Sequence, residues 1–293
     1  MGAALAQASR AAQDVFDEVD EALGQNLFRL MREGPDDELK LTENAQPAIM
    51  AHSIAVFRTM GIRLRDVASF VAGHSLGEYS ALCAAGSFDL ATTAKLLKLR
   101  GQAMQRAVPV GEGAMAALLG ADLALAQKIA EAAARGEVCT VANDNDPSQV
   151  VISGNKGAID RAIAMAKEMG AKRAIPLPVS APFHCPLMQP AAEAMRDALS
   201  YVVVEEPAVP VFANVTAQLE TDPDTIRNQL VEQVTGMVRW RESVANMFDA
   251  GVHEFVEIGG KVLGSMVKRI VPDAKVTSVV TIEDVEALAK EIA

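Results

Sequence analysis

A serine set between two glycines directly after an apolar run constrains this chain more than any other feature. Residues 68–72 (Ala-Ser-Phe-Val-Ala) read as a short buried strand, and Gly73-His74-Ser75-Leu76-Gly77-Glu78-Tyr79-Ser80 turns sharply from it into a helix near 76–85. Such a turn lifts the Ser75 hydroxyl clear of a sheet, and small residues two positions either side give the strained backbone room to pass. The pattern is a nucleophile elbow, and it proposes acyl chemistry on an α/β scaffold.

The periodicity of the remaining residues supplies that scaffold. Amphipathic helices are predicted over 11–32 and 46–61, Pro47 falling in the first turn of the second, and a helix capped by Asp89 runs to about Val108. Residues 114–119, 138–142, 149–153 and 173–177 read as strands and 122–134 and 156–169 as helices, with a turn-rich Asn143-Asp144-Asn145-Asp146-Pro147 between the two middle strands. The order β-α-β-β-α-β is that of a ferredoxin-like unit, so 110–178 is expected as a small domain inserted into a large one of residues 1–109 and 179–293. Beyond it, strands at 208–213, 253–258 and 275–280 alternate with helices after Asp222-Pro223 and across 240–250, 261–270 and 282–292. Alternation of this kind implies a mostly parallel sheet with helices on both faces.

Composition narrows the partners. The 293 residues carry a net charge of −11, which argues against nucleic acid and against an anionic membrane surface. Cys83, Cys139 and Cys185 lie far apart with no C-x-x-C pair, so neither a zinc site nor a disulfide framework is expected, and a reducing cytoplasmic setting fits. The opening residues include Arg10, Asp14, Asp17 and Glu18 and lack the apolar run of a signal peptide or membrane span.

A serine hydroxyl needs a general base, and the chain has 4 histidines to offer. His52 lies within a predicted helix. His74 adjoins Ser75, where neighbouring side chains diverge, and is expected to line the pocket. His184 rides on the loop Val179-Ser180-Ala181-Pro182-Phe183-His184-Cys185-Pro186, whose two prolines fix its shape, and is the better candidate. His253, with Asp249 or Glu257 as its orienter, would give the late-histidine order of a serine esterase or thioesterase.

Several motifs in sequence order carry a resemblance: Gly73 to Leu82, Leu99-Arg100-Gly101, Gly113-Ala114-Met115-Ala116-Ala117, Gln149-Val150-Val151-Ile152-Ser153-Gly154, Ala171-Lys172-Arg173, and Leu177-Pro178-Val179-Ser180 leading to His184. From about residue 11 onward the chain resembles the malonyl-CoA:acyl carrier protein transacylases of bacterial fatty acid synthesis. The resemblance implies a hydrolase-like large domain with a ferredoxin-like insert. It implies a ping-pong transfer in which Ser75 takes a malonyl group from CoA, His184 moves the proton, and the phosphopantetheine thiol of acyl carrier protein accepts the group. It further implies that Arg100 holds the malonyl carboxylate through paired charge-assisted hydrogen bonds, that the main-chain carbonyl of Gln233 orients His184, and that the Leu76 amide is an oxyanion donor. Asn143 and Asn145 match paired asparagines beside the cleft, and Phe183 stands where a bulky ring would crowd a methyl branch and favour malonyl over methylmalonyl. No tightly bound cofactor or metal is implied, and a monomer is expected. Lys172-Arg173 or Lys268-Arg269 could present a basic patch to the acidic carrier.

Two departures stand out. Family members begin with a buried strand and a Gly-Gln-Gly-Ser-Gln loop whose glutamine gives a second oxyanion donor, and Gly24-Gln25 cannot stand in for it. An in-frame segment upstream of Met1 is expected to encode both. Without them a weakly active enzyme, or an inactive scaffold that binds acyl-CoA or carrier protein, is the alternative, since one oxyanion donor is worth roughly 10²–10³ in rate. Glu257-Ile258-Gly259-Gly260-Lys261 also stands one residue short of the family's Gly-Pro-Gly loop, with Ser75 expected to be undisturbed.

Overall fold

A computed structural model describes residues 1–292, and its first quarter is helical. Helices α1 (Ala3–Ala8), α2 (Arg10–Leu23), α3 (Leu27–Glu33), α4 (Asp36–Leu39), α5 (Thr42–Met60) and α6 (Leu64–Val67) precede strand β1 (Val71–Ala72). The single helix expected over 11–32 is broken. Gly24, at φ 57°, closes α2 in the left-handed conformation that a residue without a Cβ adopts freely, and the Asn26 side chain caps α3. Helix α5 starts at Thr42, earlier than expected, so Pro47 lies inside it rather than in its first turn.

Helices α7 (Leu76–Ala84) and α8 (Leu90–Ala107) follow the elbow, the Asp89 carboxylate capping α8 through the Thr92 amide. Then come β2 (Gly113–Leu119), α9 (Leu123–Ala134), β3 (Cys139–Asp146), β4 (Gln149–Asn155), α10 (Lys156–Ala166) and β5 (Arg173–Pro176). The four strands form an antiparallel sheet in the order β3-β4-β2-β5, and both helices pack over it around Leu118, Ile129, Ile152 and Ile159. The stretch Asn143 to Asp146 is not a turn as expected but the end of β3, with register shifts on either side of Asn143–Asp144. It stays extended because Asp144 and Asp146, both buried, pair with Arg241 and Arg269.

Helix α11 (Gln189–Ser200) was not expected; Pro190 lies in its first turn, where no amide is needed. It leads to β6 (Val211–Phe212), β7 (Leu219–Glu220), α12 (Pro223–Glu232), α13 (Trp240–Asp249), β8 (Glu254–Ile258), α14 (Leu263–Ile270), β9 (Lys275–Val279) and α15 (Ile282–Ile292). Strand β1 pairs in parallel with β6, and β8 with β9, as the alternation implied, while β7 adds an antiparallel edge. Phe70, Ala72 and Phe255 pack on one cluster with Trp240 and Val244, so the two strand groups share a core. Strands β1 and β8 each end their sheets with an unpaired edge, and Val256 on β8 is 44% exposed. No helix among the described residues is long and apolar enough to cross a membrane.

Candidate active site

The elbow depends on Gly73, where an added Cβ would overlap the Gly77 carbonyl as α7 doubles back on the strand. Gly77 has open space at the same position, so only one of the two flanking glycines is sterically required. Ser75 itself sits at φ 54° and ψ −111°, a conformation a side chain rarely adopts. Asn214, just past β6, holds it there: the Ser75 amide donates to Asn214 Oδ1 at 2.7 Å, and Asn214 Nδ2 donates to the Gly73 carbonyl at 2.7 Å. Asn214 was missed in the sequence, where its only signal is its place after an apolar run.

His184, 109 residues further on, comes to the same point. Its Nε2 lies 2.7 Å from Ser75 Oγ, and its Nδ1 lies 2.8 Å from the main-chain oxygen of Gln233, the residue that ends α12. With Nδ1–H donating to that carbonyl, Nε2 is the free acceptor facing the hydroxyl. His184 is 4% exposed and, like Ser75, has positive φ, at 55°. Its loop is shaped by Pro182, whose ring packs where a Cβ on Gly113 would be, and by Cys185 Sγ donating to the Pro182 carbonyl at 3.1 Å. Burial, with the Arg100 charge beside it, pushes the imidazole down to about 3, against the opposing pull of the Gln233 carbonyl.

Arg100 reaches the same cluster from α8. It is 1% exposed, its Nη1 donates to Gln46 Oε1 at 2.7 Å, and its Nη2 donates to Gln233 Oε1 at 2.7 Å and to Ser75 Oγ at 3.1 Å. Its Nε has no partner, and the guanidinium forms no salt bridge among the described residues. Gly101 makes this placement possible, because a Cβ there would meet Glu43 Cα at 2.5 Å and Thr42 O at 2.6 Å across the α5 contact. Gln46, on α5, was also missed; one glutamine in an amphipathic helix looks like any other.

The remaining candidates divide. His74 Nε2 lies 2.9 Å from Asn145 Oδ1, with the Trp240 ring 5.8 Å away, and burial lowers its pKa. Asn143 bridges through its backbone to Val238 and has no side-chain hydrogen bond to the cluster. Phe183 is half-buried against Met115, Ala117 and Val151. The Leu76 amide, first in α7, has no acceptor among the described residues. The rival constellation around His253 does not assemble. His253 is exposed and stands edge-on to Phe248 at 4.8 Å, and both oxygens of Glu257 are taken by the amides of Val262, Leu263 and Gly264 at the start of α14. Lys268 and Arg269 are also committed, to the Ala274 carbonyl and to Asp146, whereas Lys172 and Arg173 are exposed and form no salt bridge among the described residues. No group of three metal-ligating side chains occurs among the described residues.

Comparison with known proteins converges with this geometry. Residues 1–280 match the acyl transferase domain model. The malonyl CoA-acyl carrier protein transacylase of Escherichia coli (strain K12) is 46% identical over 260 residues, 88% of this chain and 84% of that protein. The crystal structure of the acyl-carrier-protein-S-malonyltransferase from Bartonella henselae is 51% identical and superposes with a TM-score of 0.97, covering 100% of this chain and 94% of the other. A malonyl-transacylase solved in complex with a type II PKS acyl-carrier protein is 39% identical, with a TM-score of 0.96, covering 99% of this chain and 94% of the other. The chain therefore belongs to the malonyl-CoA:acyl carrier protein transacylases of the acyl transferase domain family.

Proposed function

We infer that this enzyme moves a malonyl group from CoA to the phosphopantetheine thiol of acyl carrier protein in fatty acid synthesis, with Ser75 as nucleophile and His184 as base. Ser75 Oγ attacks the thioester carbonyl as its proton passes to His184 Nε2, 2.7 Å away. The Leu76 amide offers a hydrogen bond to the oxygen that gains charge. The C–S bond breaks, the CoA sulfur takes the proton from His184, and a malonyl-serine ester remains. The carrier thiol then gives its proton to His184 and attacks the ester, restoring Ser75. The depressed imidazole pKa keeps His184 neutral, and so able to accept a proton, well below neutral pH. Phe183 stands as the bulky side chain beside His184 that disfavours a branched acyl group, and Lys172 with Arg173 is the basic pair free to meet an acidic carrier.

One observation carries the choice of malonyl over a neutral acyl group: a buried guanidinium without a carboxylate partner stands 3.1 Å from the serine oxygen. An esterase of neutral substrates has no use for it. Intact-mass measurement after addition of malonyl-CoA is expected to show one malonyl group on the wild-type chain and none on Ser75→Ala. Arg100→Ala is expected to reduce malonyl loading about 100-fold while lowering acetyl loading far less, consistent with two lost charge-assisted bonds. Equal losses on both substrates would refute the reading.

A further inference from the structure

Glu78 is 2% exposed in the first turn of α7, three residues past Ser75, and no basic side chain pairs with it. Its Oε2 accepts from Gln233 Nε2 at 2.6 Å and from the Asn214 amide at 3.3 Å. The other end of that same amide, Gln233 Oε1, accepts from Arg100 Nη2, and Gln233 Nε2 also donates to the Ser75 carbonyl at 3.0 Å. Carboxylate, neutral amide and guanidinium therefore stand in line. Turned over, the amide would set its oxygen against Glu78 and the Ser75 carbonyl and its NH2 against the guanidinium, so Glu78 fixes which way Gln233 faces. A glutamate bound directly to Arg100 would fill the guanidinium fork, and no carboxylate at all would leave a buried cation without a counter-charge.

We propose that Glu78 is a positioning residue for recognition of the substrate carboxylate: through the Gln233 amide it holds the Arg100 guanidinium beside Ser75 and balances its charge from one residue away, without itself binding the guanidinium. This rests on the reading of Arg100 as the partner of the malonyl carboxylate. It has a consequence that damage to the fold cannot imitate. A fixed carboxylate near the fork repels the incoming one, so removing its charge tightens anion binding.

The test is the dissociation constant of free malonate, measured by calorimetry on the full chain at pH 8, where Glu78, pushed up to about 7 by burial, is largely ionised. Glu78→Gln keeps an acceptor for Gln233 and Asn214 but loses the charge, and the constant is expected to fall threefold or more; an unchanged or higher value overturns the proposal. Gln233→Glu places a carboxylate directly on Arg100 while keeping the main-chain carbonyl for His184, and the constant is expected to rise tenfold or more. An unchanged value there also overturns it, and this arm decides if Glu78→Gln does not fold. Arg100→Ala separates the two levels. Malonate binding that survives this change defeats the reading of Arg100, whereas binding lost there but indifferent to Glu78→Gln defeats only the role of Glu78.

Discussion

Among the described residues, Ser75 and His184 are two of the four non-glycine residues with positive φ, the others being Arg135 and Ala217, so backbone strain gathers where these two side chains meet. Gly73 and Asn214 hold that strain in place on the serine side. Gly73→Ala is expected to abolish serine labelling, because the new methyl would collide with the Gly77 carbonyl, while Gly77→Ala, with open space around it, is expected to fold with unchanged or slightly raised stability. Thermal melts and a fluorophosphonate label on both variants check the asymmetry. Glu78 gives a second expectation. Burial raises its folded pKa from 4.5 to about 7, so it contributes stability that is full below 4.5 and lost as pH rises through 7. His184 and His74 act in the opposite direction, their lowered pKa values favouring the fold above 6.5, but they are common to wild type and Glu78→Gln and cancel in the difference. Glu78→Gln is therefore expected to gain on wild type by about 2–3 kcal/mol between pH 4.5 and pH 8 in denaturant titrations; a constant difference would show that Glu78 does not titrate in this window. Ser75 could be named from the elbow motif and His184 from its proline-fixed loop, whereas Arg100 and the Gln233 carbonyl were named only through the resemblance to the family. Gln46, Glu78 and Asn214 could not be assigned a part, since their value lies in the partners that folding brings to them.

Helix α8 shows how an element carries a site. Its Asp89 cap sets its start, its apolar stripe buries Leu90, Leu97 and Met104, and Gly101 lets it lie against α5 closely enough for Arg100 to reach Gln46. Gly101→Ala is expected to push the two helices apart, costing about 1–3 kcal/mol and raising the KM for malonyl-CoA about tenfold, with a smaller change for acetyl-CoA. Steady-state kinetics with both thioesters would check it, and equal changes would place the damage in the fold rather than at Arg100. Elements of this kind were legible because caps, period and length agree. The two-residue strands β1 and β6 were overestimated, since an apolar run of five or six residues does not say how much of it finds a neighbour to pair with. The Asn143–Asp146 stretch misled for another reason. Turn-prone side chains are tolerated in β3 because two arginines from distant helices neutralise its aspartates.

Across the whole molecule those same pairs, Asp144 with Arg241 on α13 and Asp146 with Arg269 on α14, tie the antiparallel sheet to the helices that also pack on β1 and β8. They consume positive charge that would otherwise face solvent, in a chain whose net charge is already −11. An acidic carrier protein approaching such a molecule is repelled at long range and must be drawn by a local patch. Of the two basic pairs marked in the sequence, Lys268 and Arg269 are occupied internally, which leaves Lys172 and Arg173 at the exposed start of β5, the strand that runs toward the His184 loop. Reversing both charges with Lys172→Glu and Arg173→Glu is expected to lower kcat/KM for the carrier about tenfold at low salt, with the loss shrinking as ionic strength rises and the screening length falls below the patch size. Loading of Ser75 from malonyl-CoA alone should stay within twofold, because neither side chain touches the Ser75 cluster. Equal sensitivity of the two half-reactions, or a carrier step indifferent to both salt and charge reversal, would move the docking surface elsewhere on the molecule.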